Sequence, residues 1–303
     1  MKKYKLYAFI LNSFGEDFYR ILQYIYSLFL PLIRLPYSII GLFKNKSKYY
    51  IIDGLQFKFP SSNLYEYGKN FQDYELRERI LVKKYLNEKD TILELGGSVG
   101  VVSCFINKIL YNKKQHVVVE PNPNVISFLQ KNKEKNSCDF IVEQCIISNV
   151  SSEMDLYIGK SHLSSSIHQK NHLLDSIETV SVKCLTVNKL FIKHGLEFDT
   201  LIMDIEGDEY RIIDKLKYFK KMIGFVIEFH NIDLHHEKIS YFLKKNKNFK
   251  IVHVSSNNMG GINQNNEPIV VEITFINLKT FSDFKKLKSK FISKNNLDFP
   301  NDP

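Results

Sequence analysis

Two groups of residues carry chemistry by their type and spacing. The first is the stretch at residues 91–100, TILELGGSVG, where a short apolar run delivers Glu94 into a turn built on Gly96, Gly97 and Gly100. Glycine there permits positive φ and leaves no Cβ between the amide groups and whatever lies over them. The helix predicted over residues 99–110 then offers unpaired N–H groups to an electron-rich ligand. The second group is ionisable: Asp204 and Glu206 in LIMDIEGDEY, and Glu228 and His230 in VIEFH. Such groups move or orient protons when the fold brings them to one ligand.

The ligand of the glycine turn can be narrowed. The run HVVVE ends at Glu120, twenty residues past Gly100. An acid at the carboxyl end of the strand beside a glycine turn hydrogen-bonds a ribose diol in open α/β sheets, so the ligand carries a ribose. The dinucleotide fingerprint GxGxxG fails, because Gly96 is followed directly by Gly97. The pattern that fits is acid-x-G-x-x-x-G, with Glu94, Gly96 and Gly100.

These residues need a frame. Strands are predicted at residues 91–95, 116–120, 140–142, 200–204, 224–228, 250–254 and 269–276, with helical patterns between most of them. That alternation gives an α/β fold with a mostly parallel seven-stranded sheet and helices on both faces. Parallel strand ends open on one edge, so Asp204, Glu206, Glu228 and His230 are expected beside the glycine turn. Residues 154–158 and 180–187 read as added strands around a Ser- and His-rich loop at 159–175. Asp53-Gly54 between apolar runs is a hairpin signal, and residues 73–87 read as a helix covering the pocket. The chain thus divides into an apolar, basic N-terminal segment (1–48), a hairpin and cover helix (49–90), the main domain (91–280) and a Lys-rich tail (281–303).

Composition bounds the partners. With 303 residues, 44% hydrophobic, the chain can fill a large core. Its formal charge is +9, yet only five of its 42 basic residues are arginine, a pattern of solvated lysine surface and not of the bidentate clamps used on phosphates; nucleic acid is not an expected partner. The four cysteines lack metal-ligand spacing. Residues 21–43 are the most apolar segment, but Gln23, Arg34, Pro31 and Pro36 argue against spanning a bilayer. The segment reads as an apolar helical piece lying on a membrane surface or packed on the protein's own body. The expected location is the cytoplasm, with peripheral contact at the inner face of the membrane.

The motifs LELGGSVGVVS (93–103), VVVEPNP (117–123), LIMDIEGDEYRII (201–213) and VIEFH (226–230) resemble the class I, Rossmann-like methyltransferases that use S-adenosylmethionine, and more closely the FkbM family of O-methyltransferases. The similarity covers residues 49–278, including HVSSNNMGG (253–261). It departs at Ser98, where the family usually has Asn, and at Met203, where a Lys often precedes the Asp. The resemblance implies that Gly96, Gly97 and Gly100 shape the turn at the methionine end of the cofactor, that Glu94 fixes its ammonium group directly or through water, that Glu120 takes the ribose hydroxyls with Asn122 beside it, and that residues 144–146 flank the adenine.

Methyl transfer to an alcohol needs a base. His230 oriented by Glu228 is the first choice, Asp204 the second, with Glu206 among the converging groups. A divalent metal on Asp204, Glu228 and His230 is a minor alternative. His253, Asn257 and Asn258 suit a hydroxyl-rich acceptor such as a glycan sugar or a related small molecule, and His162, His168 and His172 could line a lid over it or be solvated. Two other classes compete: a nicotinamide-dependent oxidoreductase, disfavoured by the GGxxG spacing, and a non-catalytic membrane-associated module on the same fold.

Overall fold

The computed structural model describes residues 49–60, 71–149, 152–159, 165–168, 176–213, 224–256 and 269–277. The N-terminal segment, the C-terminal tail and Asn257 and Asn258 therefore lie outside the described residues, as do His162 and His172. In chain order the elements are β1 (Tyr50–Ile52), β2 (Leu55–Phe57), a 3-10 turn (Phe71–Asp73), α1 (Leu76–Tyr85), β3 (Ile92–Leu95), α2 (Val101–Ile109), β4 (His116–Val119), α3 (Pro123–Lys135) and β5 (Ile141–Glu143). There follow β6 (Ile146–Ile147), β7 (Glu153–Gly159), β8 (Ser165–Ser166), β9 (Ser176–Leu185), α4 (Val187–His194), β10 (Thr200–Met203), α5 (Glu209–Ile213), β11 (Gly224–Phe229), α6 (Ile232–Lys245), β12 (Phe249–Ser256) and β13 (Val271–Asn277).

The expected seven-stranded sheet is present in the order β12-β13-β11-β10-β3-β4-β5. Six strands run in the same direction, while β13 runs antiparallel to both of its neighbours, β11 and β12. Alternation along the strands sorts the core into two layers. Leu93, Leu95, Leu201, Met203, Ile227 and Phe229 meet α4, α5 and α6 through Leu190, Tyr210 and Phe242. On the other face Ile92, Ile202 and Val226 meet Leu81 and Val82 of α1 and Ile106 of α2, while Val118 packs with Val99, Val125 and Leu129. Helices thus cover both faces.

A second sheet, β6-β9-β7-β8, stands apart from the first. Two of its strands match the predicted additions. β8 falls inside the stretch predicted as loop, and its two residues offer no periodicity to read; they exist as a strand because Tyr157 and Ile158 pair with them.

The hairpin also forms, with Asp53 (φ 46°) and Gly54 (φ 87°) both left-handed in its turn. Two buried asparagines of α3 dock it. Asn132 accepts the Lys58 N–H at 2.7 Å and donates to the Lys58 carbonyl at 2.9 Å, and Asn136 does the same with Gln56 at 2.8 and 2.8 Å. These amides act as a strand partner for an otherwise open edge. Arg79 of α1, only 3% exposed, then ties the hairpin to the segment before α1: it pairs with Asp53 at 2.7 Å and donates to the carbonyls of Tyr74 and Gln72.

Candidate active site

At the carboxyl edge of the parallel strands lies a cleft of about 610 Å³, within the range of small-molecule sites. One wall is the segment at residues 73–78; the floor is Leu95, Gly96 and Asp204; β6, β7 and β8 close the far side. Nine of the lining residues carry carboxylates and only Arg77 is basic. In a chain of net charge +9, this concentration of acid selects a cationic ligand.

The glycine turn is shaped by its neighbours as much as by a ligand. Gly96 has φ 89°, and a Cβ there would stand 1.7 Å from the carbonyl oxygen of Asp204. The glycine therefore lets β3 and β10 close together at the cleft floor. Gly97 and Gly100 do not line the cleft; a Cβ on either would strike Val118 at 2.3 Å or Leu129 at 2.5 Å. They let the turn and α2 seat against β4 and α3, and so shape the turn from behind the cleft.

Glu94, expected to fix the ammonium group directly or through water, is not among the lining residues. It shares the face of Ile92, is 2% exposed, and spends both oxygens inward, accepting from Ser103 Oγ at 2.8 Å and pairing with His116 Nε2 at 2.7 Å. It braces β3 against α2 and β4 and offers no direct contact to a ligand in the cleft.

Glu120 stands where the ribose acid was expected. Its carboxylate lines the cleft and accepts the N–H groups of Ser98 at 2.6 Å and Asn122 at 2.8 Å, leaving about two of its four lone-pair sites for a diol. Burial pushes its carboxyl up to about 7, against the pull of those two N–H bonds. Ser98 reaches it from a left-handed conformation, φ 47°, which asparagine adopts more readily than serine. Asn122 is 1% exposed and caps α3 by accepting the Asn124 N–H at 3.0 Å; it positions Glu120 through its backbone and is not itself a lining residue. Of residues 144–146, Cys145 and Ile146 line the cleft, with Ile147 beyond them, whereas Gln144 is exposed.

The acidic end gathers Asp204, Glu206, Glu228 and His230 as expected, but in other roles. His230 is buried behind the lining residues, its Nδ1 3.0 Å from Glu209 and its Nε2 3.4 Å from Glu206, 3.9 Å from Glu228 and 4.0 Å from Asp204. Burial alone would strip its proton; the carboxylates of Glu209, Glu206 and Asp204 outweigh it and raise the imidazole well above its ordinary value. These carboxylates favour the protonated ring, and the nearest of them is Glu209 at 3.0 Å, while Glu228, expected to orient the ring, lies at 3.9 Å.

Glu209 carries no expected role in the sequence analysis. It is fully buried and accepts the Gly207 N–H at 2.9 Å as well as facing His230. Through that pair it holds the turn in which Glu206 is left-handed, φ 56°, and the Glu206 carbonyl accepts Ser166 Oγ at 2.9 Å.

Asp204 lies on the cleft floor. Its side chain opens on the cleft, and its Oδ1 has no hydrogen-bond partner. Seclusion from water raises its carboxyl to about 8; His230 pulls it down, and Glu206 pushes it further up. The expected metal trio of Asp204, Glu228 and His230 does not form a unit. Among the described residues, ligand atoms come within 4.8 Å of one another in two other sets, Asp204–Glu209–His230 and Glu78–Glu228–Glu272. His253 is half-buried, with its imidazole lowered by burial and by Lys84 and Arg77. His168 is exposed and lies 3.6 Å from Asp208, so it is solvated and forms no part of the lining.

A cleft that joins a ribose acid at the end of β4 to a carboxylate-lined floor fits a cationic nucleoside such as S-adenosylmethionine. No curated protein matches the chain. Solved structures similar to it include TYW2 of M. jannaschii in complex with AdoMet (15% identity, 77% of this chain and 88% of that one, TM-score 0.42). A precorrin-6y C5,15-methyltransferase of Geobacter metallireducens is 12% identical over 72% and 91% of the two chains (TM-score 0.43). The ribosomal protein L11 methylase of Lactobacillus delbrueckii is 10% identical over 67% and 78% (TM-score 0.41). Likenesses so distant assign nothing by themselves. The model of the methyltransferase FkbM domain, in contrast, matches residues 94–251, just over half of the chain and the whole run from Glu94 to β12. The nicotinamide and non-catalytic alternatives fall with that match: the protein belongs to the FkbM family and is an S-adenosylmethionine-dependent methyltransferase.

Proposed function

We propose that this methyltransferase acts on oxygen, methylating a hydroxyl of a sugar in a surface glycan or of a related small molecule. The observation that supports this most is Asp204: a carboxylate on the cleft floor whose side chain is 40% exposed and whose carboxyl is raised to about 8. A base is most effective when its pKa lies near the working pH, and an alcohol, unlike a neutral amine, must lose its proton as it is methylated. S-adenosylmethionine, when bound, supplies an electrophilic methyl group on a cationic sulfonium. The chain's residues do the rest. Glu120 holds the ribose end, the acid-rich lining favours the positive charge, and Asp204 accepts the acceptor's proton. His230, kept charged by Glu209, steadies Asp204 in its ionised form across 4.0 Å.

The test is a transfer assay with methyl-labelled S-adenosylmethionine against matched sugar and amine acceptors, on the wild type and Asp204→Asn. The reading expects label on sugar oxygen and a loss of at least about 100-fold in kcat for the variant. Label on nitrogen, or an unchanged kcat, overturns it.

For location, we propose peripheral attachment at the cytoplasmic face of a membrane through residues 21–43, supported by an apolar run with lysines on both flanks. Among the described residues no helix is long and apolar enough to cross a membrane. Sedimentation with vesicles should be lost on deleting residues 1–45; persistence would overturn the reading.

A further inference from the structure

We propose that Glu78, Glu228 and Glu272 form a divalent-cation site at the end of the cleft away from the ribose acid. The three carboxylates come from three elements, α1, β11 and β13, and each presents an oxygen within 4.8 Å of the other two. Glu228 and Glu272 are directly paired across β11 and β13. Glu272 is 1% exposed and lines the cleft; its Oε2 accepts from Ser255 Oγ at 2.6 Å, but its Oε1 has no hydrogen-bond partner. A buried carboxylate oxygen left without a donor is costly unless a shared proton or a cation sits against it.

The surroundings favour a metal ion over the protein's own cations. The neighbouring set, Asp204–Glu209–His230, already contains an imidazole that its carboxylates favour in the charged form. Around Glu78, Glu228 and Glu272 the cationic groups are Arg77 and His230, and each eases one carboxyl without reaching all three: Arg77 lowers Glu272 and His230 lowers Glu228. Burial and mutual crowding nevertheless keep both of those carboxyls raised. Three hard oxygen donors and no sulfur or imidazole among them suit Mg²⁺ or Mn²⁺. An ion there would make the proton of a hydroxyl bound to it easier to lose. The site does not depend on the oxygen-acceptor reading above, since the cation can be detected with neither cofactor nor acceptor present.

The experiment is titration of the purified full-length chain with Mn²⁺, followed by loss of the free-ion EPR signal. The expected result is about one tight Mn²⁺ per chain, competed by Mg²⁺, with affinity reduced at least tenfold in Glu272→Gln and in Glu78→Gln and unchanged in Glu153→Gln on the second sheet. Glu78, on the cleft side of α1, keeps the test open should Glu272→Gln fail to fold. No Mn²⁺ bound by the wild type would overturn the proposal and leave these carboxyls sharing protons instead. Equal binding by the wild type and both variants would overturn it in favour of another ligand set.

Discussion

Glu209 Oε1 lies 3.0 Å from His230 Nδ1, with both side chains closed to solvent. The pair favours the charged form of the histidine and, through the Gly207 N–H, fixes the turn that carries Glu206. Removing the charge while keeping the shape should therefore cost both stability and activity. Glu209→Gln is expected to lose about 2–3 kcal/mol, the worth of a charge-assisted hydrogen bond between buried groups, in urea unfolding. Its kcat should fall with little change in cofactor affinity, because Glu209 stands at the acid end and not at the ribose end.

Glu120 makes cofactor binding depend on pH. Its carboxyl is raised to about 7, and only the ionised form accepts from both ribose hydroxyls. Affinity for S-adenosylhomocysteine should rise about tenfold from about pH 6 to about pH 8, and calorimetry on Glu120→Gln should show weaker binding without that slope. Stability moves the other way. Because the folded state holds the Glu120 proton more tightly than the unfolded chain, its contribution is lost as pH rises from the ordinary carboxylate range through about 7.

Two glycines with almost the same backbone angle should respond very differently to a methyl group. Gly54 (φ 87°) has nothing within 4 Å of an added Cβ, whereas at Gly96 (φ 89°) the Cβ meets the Asp204 carbonyl at 1.7 Å. Gly54→Ala should cost about 1 kcal/mol, the conformational strain alone. Gly96→Ala should cost at least about 3 kcal/mol and abolish cofactor binding, because β3 and β10 must separate. Equal unfolding midpoints for the two variants would contradict this.

Arg79 acts on the cleft without touching it. Arg79→Met should lower stability by about 2–3 kcal/mol in urea unfolding and weaken S-adenosylhomocysteine binding, since the segment at residues 73–78 loses its tie to Asp53.

How far the site could be read from sequence follows from what each residue depends on. The strands were legible because apolar runs between glycines and polar turns mark buried parallel strands, and Glu120 was legible because its place at a strand end depends only on local spacing. Glu94 was misread in direction. Strand alternation puts it on the same side as Ile92, toward His116, and so inside the protein. Glu209 was not legible as the partner of His230, because its reach runs back across a turn that exists only while Glu206 is left-handed. Glu78 and Glu272 were less legible still: their meeting requires β13 to insert antiparallel between β11 and β12, and nothing in local periodicity encodes that order.

That insertion also sets the sequence in which the molecule can become whole during synthesis. The turn at Gly96 and the acid at Glu120 leave the ribosome early, with the strands that hold them, and can fold as a unit while the rest of the chain is still being made. Glu272 arrives with the last strand of the sheet, and only then does the acidic end of the cleft acquire its far wall. A nascent chain on this fold therefore carries the Gly96 turn and Glu120 before it carries the acidic end of the cleft.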